Sequence, residues 1–283
     1  MKKIFFILSG FIIFFTANFL NARNLQEILA AKKLRVGMSD DYNNYLKNDS
    51  GEIIAGFNYD LIKKFADYLE VELEIVFIDN FSKYFSKDIG GNIVDKNDIY
   101  IPYIFENNEI DIAVDFITKN EWRDRLLDFV KIIDNRQILY TNSKKKIIKK
   151  IEELDGKRFI LWENTSYQDT FEKYLLPRLK DIEYKYENAN EEHFIKKIND
   201  NEADYSIVDT ITFIYFKKKY PNIENCLAVS DIEELCWALS KENASLKNEL
   251  EKFLKNLRKS NKFDTIFKKY YIMSEQGYNQ ILK

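Results

Sequence analysis

The sequence predicts an α/β protein with largely parallel sheets. Three observations point there. Short apolar runs of strand length alternate with segments of helical period along the chain. Glycine and proline are scarce, 8 and 3 in 283 residues, so no flexible tether marks a domain boundary. Setting aside an apolar amino-terminal segment of 22 residues leaves 283 − 22 = 261, enough for two lobes with proper cores.

That first segment has the pattern of an export signal. Lys2 and Lys3 form a basic start, residues 4–15 are mostly apolar, and Leu20-Asn21-Ala22 is an acceptable cleavage site. An uncleaved anchor is the rival, but the stretch is short and broken for a membrane span. Residues 33–38 (KLRVGM) form the first expected strand. In DLIKKFADYLE, Leu61, Ile62, Phe65 and Leu69 share one helical face. Residues 71–78 (VELEIVFI) alternate and then become wholly apolar, as a strand entering a core does. Residues 79–98 hold Gly90-Gly91 with several Asp and Asn, and are expected to be a loop or insertion. Residues 100–106 suit a short helix and 110–117 a strand. Further strands are expected at 127–133, 138–142, 158–162, 182–187 and 205–208. Helices are expected at 166–175, 190–202, 210–219, 244–259 and 262–271.

Composition excludes several functions. Without its first 22 residues the chain carries 41 basic and 46 acidic side chains, a charge of 41 − 46 = −5. This is ill suited to nucleic acid or an anionic membrane surface. Two cysteines, Cys226 and Cys236, and one histidine, His193, provide no zinc spacing. The cysteines suit a disulfide or two separate thiols equally.

The stretch NNEIDIAVDFITKNEWRDRLLDF carries the chemistry. The expected strand 110–117 runs into a polar turn that holds Thr118 and then Arg123, five residues before Asp128. A guanidinium beside a hydroxyl just past a strand end is suited to a small carboxylate, because its planar fork pairs two oxygens at once. The competing role is a solvated arginine, since Asp124 and Arg125 flank it.

Six blocks in order, KLRVGM, GFNYDLIKKFADYLEVELEIV, the Arg123 stretch, LDGKRFILWENTSY, NEADYSIVDT and KNELEKFLKNLRKSNKFDTIFKKYY, carry a resemblance. The chain resembles the periplasmic solute-binding proteins of the polar amino acid type, and also the amino-terminal module of membrane-bound lytic murein transglycosylase F. The resemblance covers nearly all of residues 25–273. It implies the type II periplasmic-binding fold: two α/β lobes joined by two crossing strands. Lobe one would hold residues 24–133 and 236–283, and lobe two 138–230.

It also implies a site. Arg123 and Thr118 match the pair that holds a ligand carboxylate, and Thr165 and Ser166 match the lobe-two turn that completes the grip. Asp209 matches the partner of the ammonium, and Tyr42 an aromatic that stacks on the ligand. Asp209, Thr165 and Ser166 are equally suited to capping the helices that follow them. Trp162 is expected in the core and Tyr167 at the pocket rim. The chain departs from the pattern at Asp115, Phe116, Trp122 and Asn164. If Asp115 enters the cleft, the pocket sets Arg123 against two carboxylates and favours a cationic ligand. Otherwise it faces solvent or pairs with a lysine.

The resemblance implies a non-catalytic, monomeric periplasmic protein without cofactors, which delivers an amino acid or similar carboxylate to an ABC importer. A muropeptide-binding sensor without a catalytic domain is the alternative. A dehydratase-like enzyme would need a cleft acid, for which Asp115 and Glu163 are candidates.

Overall fold

The computed structural model describes residues 22–87 and 102–283. The expected export signal and the later part of the 79–98 segment lie outside the described residues.

The strands are β1 (Lys33–Ser39), β2 (Leu46–Lys47), β3 (Ile53–Ala55), β4 (Glu72–Ile78), β5 (Ile112–Thr118), β6 (Leu127–Asn135), β7 (Gln137–Asn142), β8 (Arg158–Trp162), β9 (Glu183–Glu187), β10 (Tyr205–Asp209), β11 (Ile223–Ala228) and β12 (Glu233–Ser240). The α-helices are α1 (Leu25–Ala31), α2 (Phe57–Leu69), α3 (Tyr103–Glu106), α4 (Glu121–Leu126), α5 (Ser166–Thr170), α6 (Glu191–Asn199), α7 (Thr210–Lys217), α8 (Ala244–Lys259), α9 (Lys262–Tyr271) and α10 (Glu275–Ile281).

Two five-stranded sheets organise these elements. The first has the order β4-β1-β5-β12-β6 and the second β11-β7-β10-β8-β9. The expectation of largely parallel sheets is only half met. In each sheet three strands are parallel and two pair antiparallel. The antiparallel members include β6, β7, β11 and β12, the strands through which the chain passes from one sheet to the other and back. We call the two halves lobe one and lobe two.

Lobe one is built by burial of the helical face marked in the sequence. Leu61, Ile62, Phe65 and Leu69 of α2 are buried, and they join Val36, Val114 and Trp237 in one core with α8 and α9. The Trp237 indole N–H donates to Asn58 Oδ1 at 3.0 Å, so its polar atom is satisfied. A turn and the β2–β3 hairpin separate β1 from α2, and Gly56 closes them. Its φ is +153°, and a Cβ there would sit 2.1 Å from the Asn44 carbonyl oxygen, a separation no side chain tolerates.

The two passages between lobes are tied together. Arg136, between β6 and β7, donates from Nε to the Ser230 carbonyl and from Nη1 to the Leu282 carbonyl, each at 3.0 Å. Gln137 N–H donates to Ser230 Oγ at 3.0 Å. The tail of the chain therefore braces both crossings through α10, a helix beyond the last one expected from the sequence.

Cys226 and Cys236 are free thiols on strands of different sheets, β11 and β12. Burial pushes their pKa values up to about 11 and about 12.

Candidate functional site

The parallel strands β1, β5, β8 and β10 all end at one place, where α/β sheets characteristically hold ligands. Ser39 ends β1, Thr118 ends β5, Trp162 ends β8 and Asp209 ends β10. With the turns beyond them they line a cavity of about 540 Å³ of empty space, part of it open to solvent. Asp115, Phe116, Thr118, Arg123, Thr165, Ser166 and Asp209 all line it.

Arg123 is held by a short helix where the sequence suggests a turn. Asn120 caps α4, its side chain accepting from the Arg123 N–H at 3.0 Å. The side chain turns inward and is 2 % exposed, which rules out the solvated arginine. Nη1 donates to the Thr118 carbonyl at 3.0 Å, while Nε has no partner among the described residues. The guanidinium lies 4.8 Å from the Phe85 ring centre, 5.4 Å from Trp122 and 5.7 Å from Phe81. Phe81 and Phe85 belong to a 3₁₀ turn, Phe81–Phe85, inside the segment expected to be a plain loop. This aromatic socket desolvates the guanidinium and pushes its pKa down to about 10, against the opposing pull of Asp169, Glu233 and Asp209. Asp128 plays no part here, since Lys247 pairs with it at 3.3 Å. Replacing Asn120 by alanine is expected to cost about 1 kcal/mol of stability, the usual loss of an N-cap. Chemical denaturation checks this, with the same variant assayed for weaker ligand binding.

The lobes meet at Thr118, whose Oγ1 lies 3.1 Å from Ser166 Oγ. Ser166 also accepts from Gln137 Nε2 at 3.0 Å. Neither Thr165 nor Ser166 caps by its side chain: α5 has no side-chain cap, and Thr165 Oγ1 donates to the Trp162 carbonyl at 2.8 Å. The turn before α5 needs a left-handed residue, and Asn164 supplies it at φ +60°. Asp209 does not cap α7 either. It is 4 % exposed, accepts from Asn135 Nδ2 at 2.7 Å, and burial beside Glu233 raises its pKa to about 7.

Asp115 enters the cavity wall, but neither solvent nor a lysine is its partner. It accepts from Ser39 N at 3.1 Å and Ser39 Oγ at 2.7 Å, and from Asn44 Nδ2 and the Tyr84 hydroxyl. Burial pushes its pKa up to about 6 despite these donors. Phe116 lines the cavity with its ring 5.8 Å from that of Phe57.

Tyr42 is corrected. Its ring is not in the cavity wall; it stacks on Tyr215 of lobe two at 4.4 Å and meets Phe216 edge-on at 4.0 Å. It acts as a contact between lobes, its hydroxyl reaching Glu191 at 3.4 Å. Trp162, expected in the core, lines the cavity as well as packing on Phe194. Tyr167 lines the cavity from a buried position, and its hydroxyl donates to Glu191 Oε1 at 2.7 Å.

Sequence reasoning missed Asp41, Asn43, Glu191 and Thr212, all cavity-lining. Asp41 had a signal, since it stands in an acidic doublet just past the end of a strand. Glu191 had none: among the acids opening α6 it looks like a first-turn charge, and Asn190 is the actual cap. Its carboxyl is buried against Asp209 and raised to about 7. Asn43 Nδ2 reaches across to Thr212 Oγ1 at 3.2 Å. His193 faces the other way, to Glu187 at 2.5 Å.

Residues 101–273 match the family described as bacterial extracellular solute-binding proteins, family 3. A membrane-bound lytic murein transglycosylase F from Saccharophagus degradans is 25% identical over 258 residues. The match covers 87% of this chain and 46% of the relative, so the chain spans about half the length of the curated relatives it matches. Among solved structures, a mutant of ArgBP from T. maritima superposes with a TM-score of 0.71 at 23% identity, covering 88% of this chain and 99% of that one. Tv2483 bound to L-arginine also gives 0.71, at 17% identity over 88% and 94% of the two chains. The neighbours share the type II periplasmic-binding fold, two α/β lobes around a cleft. The chain belongs to the bacterial extracellular solute-binding proteins, family 3.

Proposed function

We propose that the protein is an exported, non-catalytic receptor that captures an amino acid or similar small carboxylate between its two lobes and presents it to an ABC importer. One observation carries this reading. Arg123 is almost fully buried in the cavity wall with its Nε unpartnered, beside the Thr118–Ser166 contact between lobes. A buried guanidinium with unused donors is costly unless an anion completes it. A ligand carboxylate at Arg123, Thr118 and the first amides of α5 does so, because the opening N–H groups of a helix have no intrahelical partner. Asp209 receives the ligand ammonium. The ligand bridges groups on both lobes and thereby favours the closed state. The neighbour solved bound to L-arginine supports the amino acid reading.

A second reading rests on the transglycosylase match: a murein-fragment sensor, with the cavity receiving a peptide end. A thermal-shift screen with single amino acids, short peptides and muropeptides separates the two. A ligand present at a hundred times its Kd stabilises by about 2.7 kcal/mol. Stabilisation by single amino acids supports the receptor reading. A response to muropeptides alone replaces it with the sensor reading.

A further inference from the structure

The charges lining the cavity do not balance. Four carboxyl groups line it, Asp41, Asp115, Glu191 and Asp209, and Arg123 is the single cationic side chain among the described lining residues. Asp115 is occupied by its donors from lobe one, and Asp209 is held by Asn135. Asp41 and Glu191 remain. They come from opposite lobes, Asp41 from the turn after β1 and Glu191 from the first turn of α6. Neither has a lysine or arginine partner among the described residues, in a chain whose surface acids commonly have one. Asp41 accepts from the Asn43 N–H at 2.7 Å, and Glu191 from the hydroxyls of Tyr167, Thr212 and, at 3.4 Å, Tyr42. The two carboxyl groups also meet in a hydrogen bond with each other, so that they share a proton in place of a cation.

Two carboxyl groups facing one another across a closing cleft repel when ionised, and each is easier to bury once a cation lies between them. The same cavity holds the buried Arg123 with its unpartnered Nε, an independent sign that the space is completed by a ligand with an anionic group. We propose that Asp41 and Glu191 form a two-lobe subsite for a second cationic centre, so that the cavity takes an amino acid with a basic side chain and closes fully only on such a ligand. This rests on the reading of Arg123 as the carboxylate anchor. It adds that the side-chain charge of the ligand is sensed by residues outside the inherited carboxylate and ammonium contacts. Burial raises both carboxyl pKa values: with the Asp209 charge it takes Glu191 to about 7, against the hydrogen bond from Asp41, and with the Glu191 charge it takes Asp41 well above its ordinary range. The unliganded cleft therefore retains protons that a cation replaces.

Calorimetric titration of the purified protein with L-arginine, L-lysine, L-citrulline and agmatine tests this. Citrulline keeps the length of arginine without its charge, and agmatine keeps the guanidinium without the carboxylate. L-arginine or L-lysine is expected to bind at least about tenfold more tightly than L-citrulline, as desolvated charge pairs usually require. In Glu191→Gln and in Asp41→Asn that ratio is expected to fall to about threefold or less. Circular dichroism verifies folding, and two variants on different lobes guard against a local defect in one. Equal binding of citrulline, a ratio unchanged in both variants, or no binding of either basic amino acid overturns the proposal. Agmatine tests the underlying reading separately. If it binds as tightly as arginine and the variants still weaken it, the carboxylate role of Arg123 fails while the cation subsite stands.

Discussion

Replacing Arg123 by methionine is expected to leave the unliganded protein at least as stable as the wild type while erasing stabilisation by ligand. The reason lies in what the side chain makes and what it lacks. Its guanidinium is buried among Phe81, Phe85 and Trp122, makes one described hydrogen bond, to the Thr118 carbonyl, and leaves Nε unsatisfied. Desolvating a charge costs several kcal/mol, and a single neutral acceptor recovers little of it. Methionine keeps most of the stem packing and adapts to an aromatic surround through its polarisable sulfur. Such apolar replacements of buried charge are often neutral or stabilising, by about 1–4 kcal/mol. The stabilisation of about 2.7 kcal/mol that ligand confers at a hundred times its Kd is lost, because the anchoring charge is gone. Denaturation of both proteins with and without ligand reads the two effects together. A variant that is less stable when unliganded, yet still stabilised by ligand, contradicts the site.

Raising the pH from 5 to 8 without ligand is expected to drive the lobes apart. Five acids at the cleft have pKa values above their ordinary range: Asp115 at about 6, Glu191, Asp209 and Glu233 at about 7, and Asp41 well above the usual carboxylate range. Burial is the first cause in each. Glu191 faces Asp41 and Tyr42 of lobe one, and Tyr167, Asp209 and Thr212 of lobe two. Arg123 is the opposing charge in the same wall.

The closed state therefore binds more protons than an open or unfolded one between about pH 4 and pH 7. Its stability is fully present below the ordinary carboxyl values and is lost as pH rises through about 6 to 7. Each tenfold difference in proton affinity between the closed and open states is worth about 1.4 kcal/mol, so closure weakens as these acids ionise. Asp204 works in the opposite direction, but lower down. Arg158 and Lys145 hold it at about 2, and that contribution is complete before pH 5. Small-angle scattering is expected to show a larger radius of gyration at pH 8 than at pH 5, with a smaller change in Glu191→Gln. Equal radii at both pH values would show that these carboxyl groups do not govern closure.

Much of the scaffold was legible in the residues. The faces of α2, α8 and α9 follow helical period, and β1, β4 and β8 lie within a residue of their apolar runs, because burial of those positions is what forms them. Long-range pairing was not legible. The strand β12 sits between β5 and β6 in the first sheet, and nothing local in EELCWALS says so. The mixed first sheet follows from that placement, and the second is mixed because β7 pairs antiparallel with β10 and β11.

At the site, Arg123, Thr118, Ser166 and Asp209 converge on one cavity, as strand-end positions in an α/β fold favour. The position of Tyr42 is not legible, because side-chain direction in a turn has no period to follow. The socket of Phe81, Phe85 and Trp122 was hidden for a different reason. A polar, glycine-containing segment conceals a short aromatic turn whose partner lies about forty residues on. Glu191 was hidden because an acid in the first turn of a helix is ordinary wherever it points.

The most direct measurement is a crystal structure of the protein with the amino acid that gives the largest thermal shift. The expected result is a carboxylate paired with the Arg123 guanidinium at about 2.7–2.9 Å and an ammonium at Asp209, with Thr118 and Ser166 closing over them. A ligand outside this cavity, or one whose carboxylate is held elsewhere while Arg123 stays unpartnered, would contradict the account.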